Sequence, residues 1–332
     1  MSATDRQPAF AGLRVVHAAS YHMDKDGASF FGCDLKFHQG LVQAGCLVVP
    51  FSINDRARML TFTNSKTFGS GRANRALLKT CVNVRPDALI IGHGQSITRN
   101  TLLAIRHELP DLKIGYWYVD PLWEPKDVAH LHERADLFDA ICCTTAGPLL
   151  KQFCRTNTPA AFVPNPVDSG IERLRAFKCP APRHDLVFFG RDKYASHRGQ
   201  LLAALKRELS GVRCDFFGCL GERLVFAGEK DEILAASRMG LNLSRRTDVE
   251  LYSSDRIAQL TGNGLTTLIE RGAGFEQLYG EEEVAFYAGF DDLVRVVREL
   301  AADDTRCRAI ARAGWQRAHG SYSSQKCAEF LL

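Results

Sequence analysis

The sequence predicts an α/β protein built from two Rossmann-like, doubly wound domains. Three observations lead there. Short apolar segments rich in β-branched or aromatic residues recur along the chain, helical periodicities separate them, and a proline-rich break divides the series in two. Strand segments that are apolar throughout belong to parallel sheets covered on both faces. The 332 residues also exceed the roughly 250–300 at which a single core stops growing.

In chain order, the first half offers the strands LRVVHA (13–18), LVVPF (47–51), ALIIGH (88–93), KIGYWYV (113–119), AICCT (140–144) and AFVP (161–164). Between them lie helical patterns marked by Leu35, Leu41 and Val42, by Leu102, Leu103, Ile105 and Leu109, and by Leu149, Leu150 and Phe153. The break is PNPVDSGIERLRAFKCPAPRHD (164–185), with four prolines. The series then restarts with DLVFFG (185–190), CDFFG (214–218), GLNLS (240–244), TTLI (266–269) and VAFY (284–287). Leu201, Leu202, Leu205 and Leu209 mark one amphipathic helix, and Leu293, Val296, Val297 and Leu300 another, which Asp291 or Asp292 is expected to cap. The expected organisation is an N-terminal domain over 1–168, a linker over 169–184, a C-terminal domain over 185–304 and a helical segment over 305–332.

Composition narrows the class. With 45% hydrophobic and 24% charged residues the chain should fold throughout, apart from about its first eleven residues. A formal net charge of +4 is too small to argue for nucleic acid, which is not expected as a partner. No apolar run approaches the ~18–20 residues of a membrane span, and MSATDRQPAF lacks the features of a signal peptide, so a cytoplasmic location is expected. The eleven cysteines are scattered without a Cys-x-x-Cys pair and read as small buried hydrophobes.

In parallel sheets ligands bind beyond the carboxyl ends of the strands. The loop after DLVFFG carries Gly190, Arg191, Lys193, His197 and Arg198 before a helix. Glycine lets the backbone approach a ligand, the cations neutralise phosphate, and a helix N-terminus adds donors, a combination suited to a diphosphate. An ordinary basic loop is the plain alternative. The run NLSRRTDVELYSSDRIAQLTGNG (242–264) enters a helix near Ser254 or Asp255 and leaves it at Gly262 and Gly264. Turn and cap chemistry explains those residues but not Arg256, a cation just inside a helix start, where the dipole disfavours it unless an anion is near.

From about residue 185 to 331 these motifs resemble the C-terminal half of the group 1 glycosyltransferases, most like the spore-maturation-protein-like branch. The resemblance rests on Arg256, Gly264, TTLI, GFEQLY (274–279), VAFY, FDDL (290–293) and AIARAGWQRAH (309–319), in matching order and spacing. It is weaker in the first half, at RPDALIIG (85–92), YWYVDP (116–121) and VPNPVD (163–168). It implies the GT-B fold, two Rossmann-like domains facing a cleft. The C-terminal domain would grip a nucleoside diphosphate sugar, and the final helical segment would return to the N-terminal domain. Gly190, Arg191, Lys193, Arg198 and Arg256 are then the diphosphate residues. Gly218, Glu250 and Gln259 are the nucleoside candidates, Gln259 standing where the resemblance expects an acidic ribose ligand. Its carbonyl can still accept a ribose hydroxyl, without charge assistance.

In the first half, His93 in GHGQS and Asp120 in VDP follow strands and are the catalytic candidates, to orient an acceptor hydroxyl or act as base. Structural roles for a lone histidine and an Asp-Pro turn compete. Gly27 and Gly32, in the long first connection, are assigned to a loop near donor or acceptor. Residues 56–86 hold seven Lys or Arg and no Asp or Glu, with Phe62 and Phe68 interleaved. Arg72, Arg75 and Lys79 there read as an anionic-membrane or lipid-linked-acceptor patch, against the alternative of a solvated helix face. No Asp-x-Asp motif flanked by strand signals appears, and no metal or cofactor is expected. The reading is transfer of a sugar from a nucleotide-sugar donor to a hydroxyl of a glycan or glycolipid, retaining by resemblance, at the inner face of a membrane. A sugar-nucleotide 2-epimerase and a non-catalytic two-lobed binding protein are the rivals.

Overall fold

The computed structural model describes residues 8–62, 64–154, 158–192 and 196–332. The chain divides into two compact units, Met1–Pro166 with Ser324–Leu332, and Val167–Ser323. The first unit runs β1 (Arg14–Ala19), α1 (Cys33–Gln43), β2 (Leu47–Ser52), α2 (Ile53–Met59), α3 (Lys66–Val84), β3 (Ala88–Ile91), α4 (Arg99–Glu108), β4 (Lys113–Tyr118), α5 (Pro125–Arg134), β5 (Ala140–Cys143), α6 (Gly147–Lys151) and β6 (Ala160–Phe162). The second runs β7 (His184–Phe189), α7 (His197–Glu208), β8 (Cys214–Phe217), α8 (Ala227–Ala235), β9 (Ser237–Asn242), α9 (Asp255–Gly262), β10 (Thr266–Glu270), β11 (Ala285–Tyr287), α10 (Gly289–Ala302) and α11 (Asp304–Ser321). The last helix, α12 (Ser324–Leu331), belongs to the first unit.

Both sheets are wholly parallel, in the orders β2-β1-β3-β4-β5-β6 and β11-β10-β9-β7-β8. Every strand foreseen from sequence forms, because each is a short apolar run that can be covered on both faces. In the first sheet Val16, Leu89, Ile114 and Ile141 pack on one side with Leu77, Leu102 and Leu131. Their neighbours Val15, Ile90, Trp117 and Cys142 pack on the other with Phe37 and Leu41 of α1 and Ala328 and Leu331 of α12. Gly40 permits the α1–α12 crossing, since a Cβ there would lie 2.0 Å from the Ser324 carbonyl oxygen. The second sheet is covered by Leu202 and Leu205 of α7 and Leu293 and Val297 of α10 on one side, and by Leu234 and Leu260 on the other.

Three local expectations differ in detail. Residues 169–184, read as a linker, lie within the second unit: Ala176 donates its N–H to Asn263 O at 3.0 Å, and Phe177 is buried. Helix α10 starts before Asp291, at Gly289, and Asp292 instead accepts the Ala288 N–H from within the first turn at 2.8 Å. Ser254 is the N-cap of α9, but its hydroxyl donates to Asn242 Oδ1 at 2.9 Å rather than capping the helix. Eight cysteines are buried; Cys154 is exposed, and Cys33 and Cys179 are intermediate. Among the described residues no helix is long and apolar enough to cross a membrane.

Candidate functional site

Strand order fixes where each unit can bind a ligand. In both sheets the chain leaves the first strand toward one edge and returns on its other side, reversing between β1 and β3 and again between β7 and β9. Connections leaving neighbouring strands on opposite faces open a crevice at the carboxyl ends at such a point. Each reversal carries a cluster of ionisable side chains.

In the second unit the β7 exit is tied to β8 by Gly190 N–H to Phe217 O and Asp192 N–H to Gly218 O, both 3.0 Å. Ser196 caps α7, accepting the Gly199 N–H at 2.9 Å while donating to Asp192 Oδ1 at 2.6 Å. Arg198, in the first turn of α7, pairs with Asp192 and donates to Arg191 O at 3.0 Å and Leu243 O at 3.4 Å. From the β9 side, Arg256 in the first turn of α9 donates to Phe189 O at 2.8 Å and to the same Leu243 O at 3.2 Å. The two guanidinium carbons lie 5.8 and 4.8 Å from the centre of the Phe188 ring. Gly190 makes room for this, since a Cβ there would lie 2.8 Å from the Phe188 ring and 3.0 Å from Arg256 Nη2.

Two cations sharing one carbonyl acceptor repel. Burial, and after it the Arg198 charge, pull Arg256 down to about 10, so it stays protonated at neutral pH but at a cost that a bound anion would relieve. Beside the pair opens a pocket of about 800 Å³, within the ~300–1,000 Å³ range of small-ligand sites. Arg191, His197, Arg198, Leu243, Arg245 and Glu270 contribute to its lining. Burial pushes the Glu270 carboxyl upward, partly offset by His197.

Of the residues foreseen, Gly190, Arg191, Arg198 and Arg256 come together here, while Lys193 lies outside the described residues. Gly218, at φ +83°, does not line the pocket; a Cβ there would lie 2.4 Å from Leu224, so it serves the approach of the β8 exit to β7. Glu250 is exposed and does not line the pocket. Gln259 has both ends of its amide engaged, accepting from Lys230 Nζ and donating to Asp255 Oδ2, so a ribose hydroxyl would have only the second lone pair of its carbonyl, beside the Lys230 ammonium. Asp192, Lys230 and Glu270 were missed by sequence reading. Glu270 had a signal, as the residue ending the strand TTLIE at its carboxyl edge.

In the first unit the cluster joins the exits of β1 and β3 to the start of α1. Buried Asp34 accepts the Ser20 N–H at 2.8 Å and His93 Nδ1 at 2.9 Å through Oδ2. An ionised carboxylate only accepts, so Nδ1 carries the proton. Gly92 leaves space for the carboxylate, since its Cβ would lie 2.3 Å from Asp34 Oδ1. Burial raises the Asp34 pKa, but the charge and hydrogen bond of His93 outweigh it and the net direction is down. His93 moves the other way: burial opposes its charge, yet Asp34, with a further contribution from Cys33, raises it well above 6.5. The His93 side chain is 30% exposed against 2% for Asp34, so the carboxylate supports the imidazole from beneath.

Cys33 completes a thiol, carboxylate and imidazole group whose ligating atoms lie within 4.8 Å of one another. These are donor types zinc accepts, although Asp34 is already committed to Ser20 and His93. Asp120, at the exit of β4, is hydrogen-bonded by Gln95; burial raises its carboxyl and the nearby His93 charge pulls it back. Behind the cluster Tyr21 Oη bridges His17 Nδ1 at 2.6 Å and His38 Nδ1 at 3.1 Å, and burial lowers His17 to about 4. Gly32 is the N-cap of α1, directly before Cys33 and Asp34. Gly27 is exposed at φ +83°, where a Cβ would meet nothing within 4 Å. Arg72, Arg75 and Lys79 are exposed along α3.

A family profile described as "Glycosyl transferase-like" matches residues 198–332. No curated protein sequence matches the chain. Solved structures similar over almost the whole chain include the following three. Sucrose-phosphate synthase from Thermosynechococcus elongatus has a TM-score of 0.60 at 11% identity, covering 96% of this chain and 97% of its own. The α,α-trehalose 6-phosphate synthase of Burkholderia multivorans has a TM-score of 0.59 at 11% identity, with the same coverages of 96% and 97%. Anabaena HepE in complex with UDP-glucose has a TM-score of 0.61 at 11% identity, covering 96% and 98%. The fold is GT-B, with two parallel-sheet α/β domains.

Proposed function

We propose that the chain is a glycosyltransferase that moves a sugar from a nucleoside diphosphate sugar to a hydroxyl of a glycan or glycolipid acceptor. One observation carries the reading: Arg198 and Arg256 converge on Leu243 O beside a roomy pocket, at the reversal point of the second sheet. Asp192 pairs with Arg198, but a second guanidinium on the same carbonyl leaves the cluster with an excess of positive charge, which a diphosphate would offset. The profile match over 198–332 supports it, as do similar folds solved with UDP-glucose and with UDP. Within the group 1-like glycosyltransferases, the C-terminal motifs favour the spore-maturation-protein-like branch.

In the reaction proposed, the bond from the anomeric carbon to the diphosphate oxygen breaks, and the acceptor oxygen forms the new bond as it loses its proton. Negative charge grows on the departing diphosphate. Arg198 and Arg256, with Arg191 and the first turns of α7 and α9, stabilise it without a metal. The first unit serves the sugar and the acceptor. His93, kept protonated by Asp34, is suited to donating a hydrogen bond rather than to abstracting a proton, which makes Asp120 the better base of the two. Retention of configuration follows from the family resemblance.

Incubation of the protein with nucleoside diphosphate sugars alone tests the proposal. A sugar transferase releases the nucleoside diphosphate slowly by leakage to water, and faster when an acceptor is added. Appearance of an epimeric nucleotide sugar would assign a 2-epimerase. Tight binding with no turnover under any acceptor would assign a binding protein.

A further inference from the structure

The corner between α2 and α3 breaks the usual rule for large apolar side chains. Met59, Phe62 and Phe68 are 73%, 112% and 80% exposed, within ten residues of one another. The two helices that meet at this corner pack closely. Gly69 lets α3 pack backbone to backbone on α2, since a Cβ there would lie 1.7 Å from Ala57 O. Arg72 Nη1 donates to Leu60 O at 2.6 Å, tying the C-terminal end of α2 to α3. Gly69, Ala73, Leu77 and Cys81 form the buried stripe of α3.

The outward stripe is Phe68, Arg72, Arg75 and Lys79, at i, i+4, i+7 and i+11, a row of neighbours on one helix face about 16 Å long. Among the described residues no carboxylate lies in ion-pair distance of Lys66, Arg72, Arg75 or Lys79. Arg58 differs, being paired with Asp24 and Asp55. An apolar tip flanked by unneutralised cations on a rigid element is the pattern of a surface that meets acyl chains and anionic headgroups together.

We propose that the α2–α3 corner docks the protein on an anionic membrane surface, with Met59, Phe62 and Phe68 entering the interface and Lys66, Arg72, Arg75 and Lys79 on the headgroups. This stands whether or not the sugar-transfer reading does. A single-stranded nucleic acid would use the cations and stack bases on the two phenylalanines, and the DNA competition below separates that outcome from a membrane.

The test is flotation of the full chain with vesicles of phosphatidylcholine alone and with phosphatidylglycerol added, at low and high salt. Binding only to the anionic vesicles, weakened by salt, is expected. The triple variant Lys66→Gln, Arg75→Gln, Lys79→Gln, which leaves the Arg72 bond to Leu60 O in place, should lose affinity on the order of 100-fold, at about fivefold per cation. Phe62→Ser with Phe68→Ser should lose about tenfold or more at unchanged charge. In a separate Phe62→Trp variant, emission should shift to the blue with anionic vesicles only, which reports insertion at that position. An unchanged thermal midpoint shows that the variants fold. The proposal is overturned if the parent ignores anionic vesicles, if the triple variant binds like the parent, or if single-stranded DNA displaces the vesicles and the phenylalanine variant binds them unchanged.

Discussion

Replacing Arg256 by alanine separates an anion site from a structural arginine. Holding Arg256 charged while burial and Arg198 pull it from 12.5 to about 10 costs about 3 kcal/mol in the free protein. Against this stand its hydrogen bonds to Phe189 O and Leu243 O, each worth about 1 kcal/mol net, and Leu243 O keeps Arg198 as a second donor. The ligand-free variant should therefore be no less stable than the parent. Ligand binding should suffer instead. A charge-assisted hydrogen bond contributes about 1.5–3 kcal/mol, so affinity for a nucleoside diphosphate should fall about 10- to 150-fold. Affinity for the bare nucleoside should change less than about twofold, because no phosphate is present to lose the contact. Arg256→Lys keeps the charge but not the paired carbonyl contacts, and should fall between. A thermal-shift screen identifies the best nucleoside diphosphate, and calorimetry of that compound and its nucleoside on each variant gives the numbers. Equal losses for the two ligands would refute the reasoning. So would an undiminished diphosphate affinity accompanied by a stability loss above about 2 kcal/mol, which would make Arg256 a structural residue.

Asp34→Asn should lower the pKa of His93, followed by NMR of its ring protons. The stability contribution of His93 is fully present below 6.5 and lost as pH rises through its higher folded value. That of Asp34 is present above 3.8 and lost as pH falls through its lower folded value. The difference in thermal midpoint between parent and variant should therefore be largest between 3.8 and 6.5 and shrink at alkaline pH; a difference independent of pH would leave Asp34 only its bond to the Ser20 N–H. Gly190→Ala should force apart the Phe188 ring and Arg256 and weaken diphosphate binding about tenfold, with a cost in stability of about 1–3 kcal/mol; calorimetry and thermal denaturation read both. Gly40→Ala should expel α12 from the first unit, seen as rapid hydrogen exchange over Ser324–Leu331 while α10 stays protected. Slow exchange in α12 would show that the crossing tolerates the methyl group.

The strands were determined by the sequence alone, and for a local reason. A run such as DLVFFG or ALII is short, apolar on both faces and bounded by turn residues, so burial inside a parallel sheet is its one stable use. Arg256 stood out in the sequence for a related reason, because a cation in the first turn of a helix conflicts with the local dipole unless an anion is near. Neighbouring segments can hide such a conflict, as at Gln259, whose amide looked available until Lys230, 29 residues away, proved to hold its carbonyl. The order of the strands had no local signature, and with it went the two reversal points that make crevices of particular loops. Asp34 and His93 are 59 residues apart and meet only because β1 and β3 are neighbours and α1 starts above them. Arg198 and Arg256 share Leu243 O only because β7 pairs with β9. The periodicity of a segment records which of its faces is buried, whereas the partner against which it is buried depends on the fit of distant surfaces, and only the folded chain decides that.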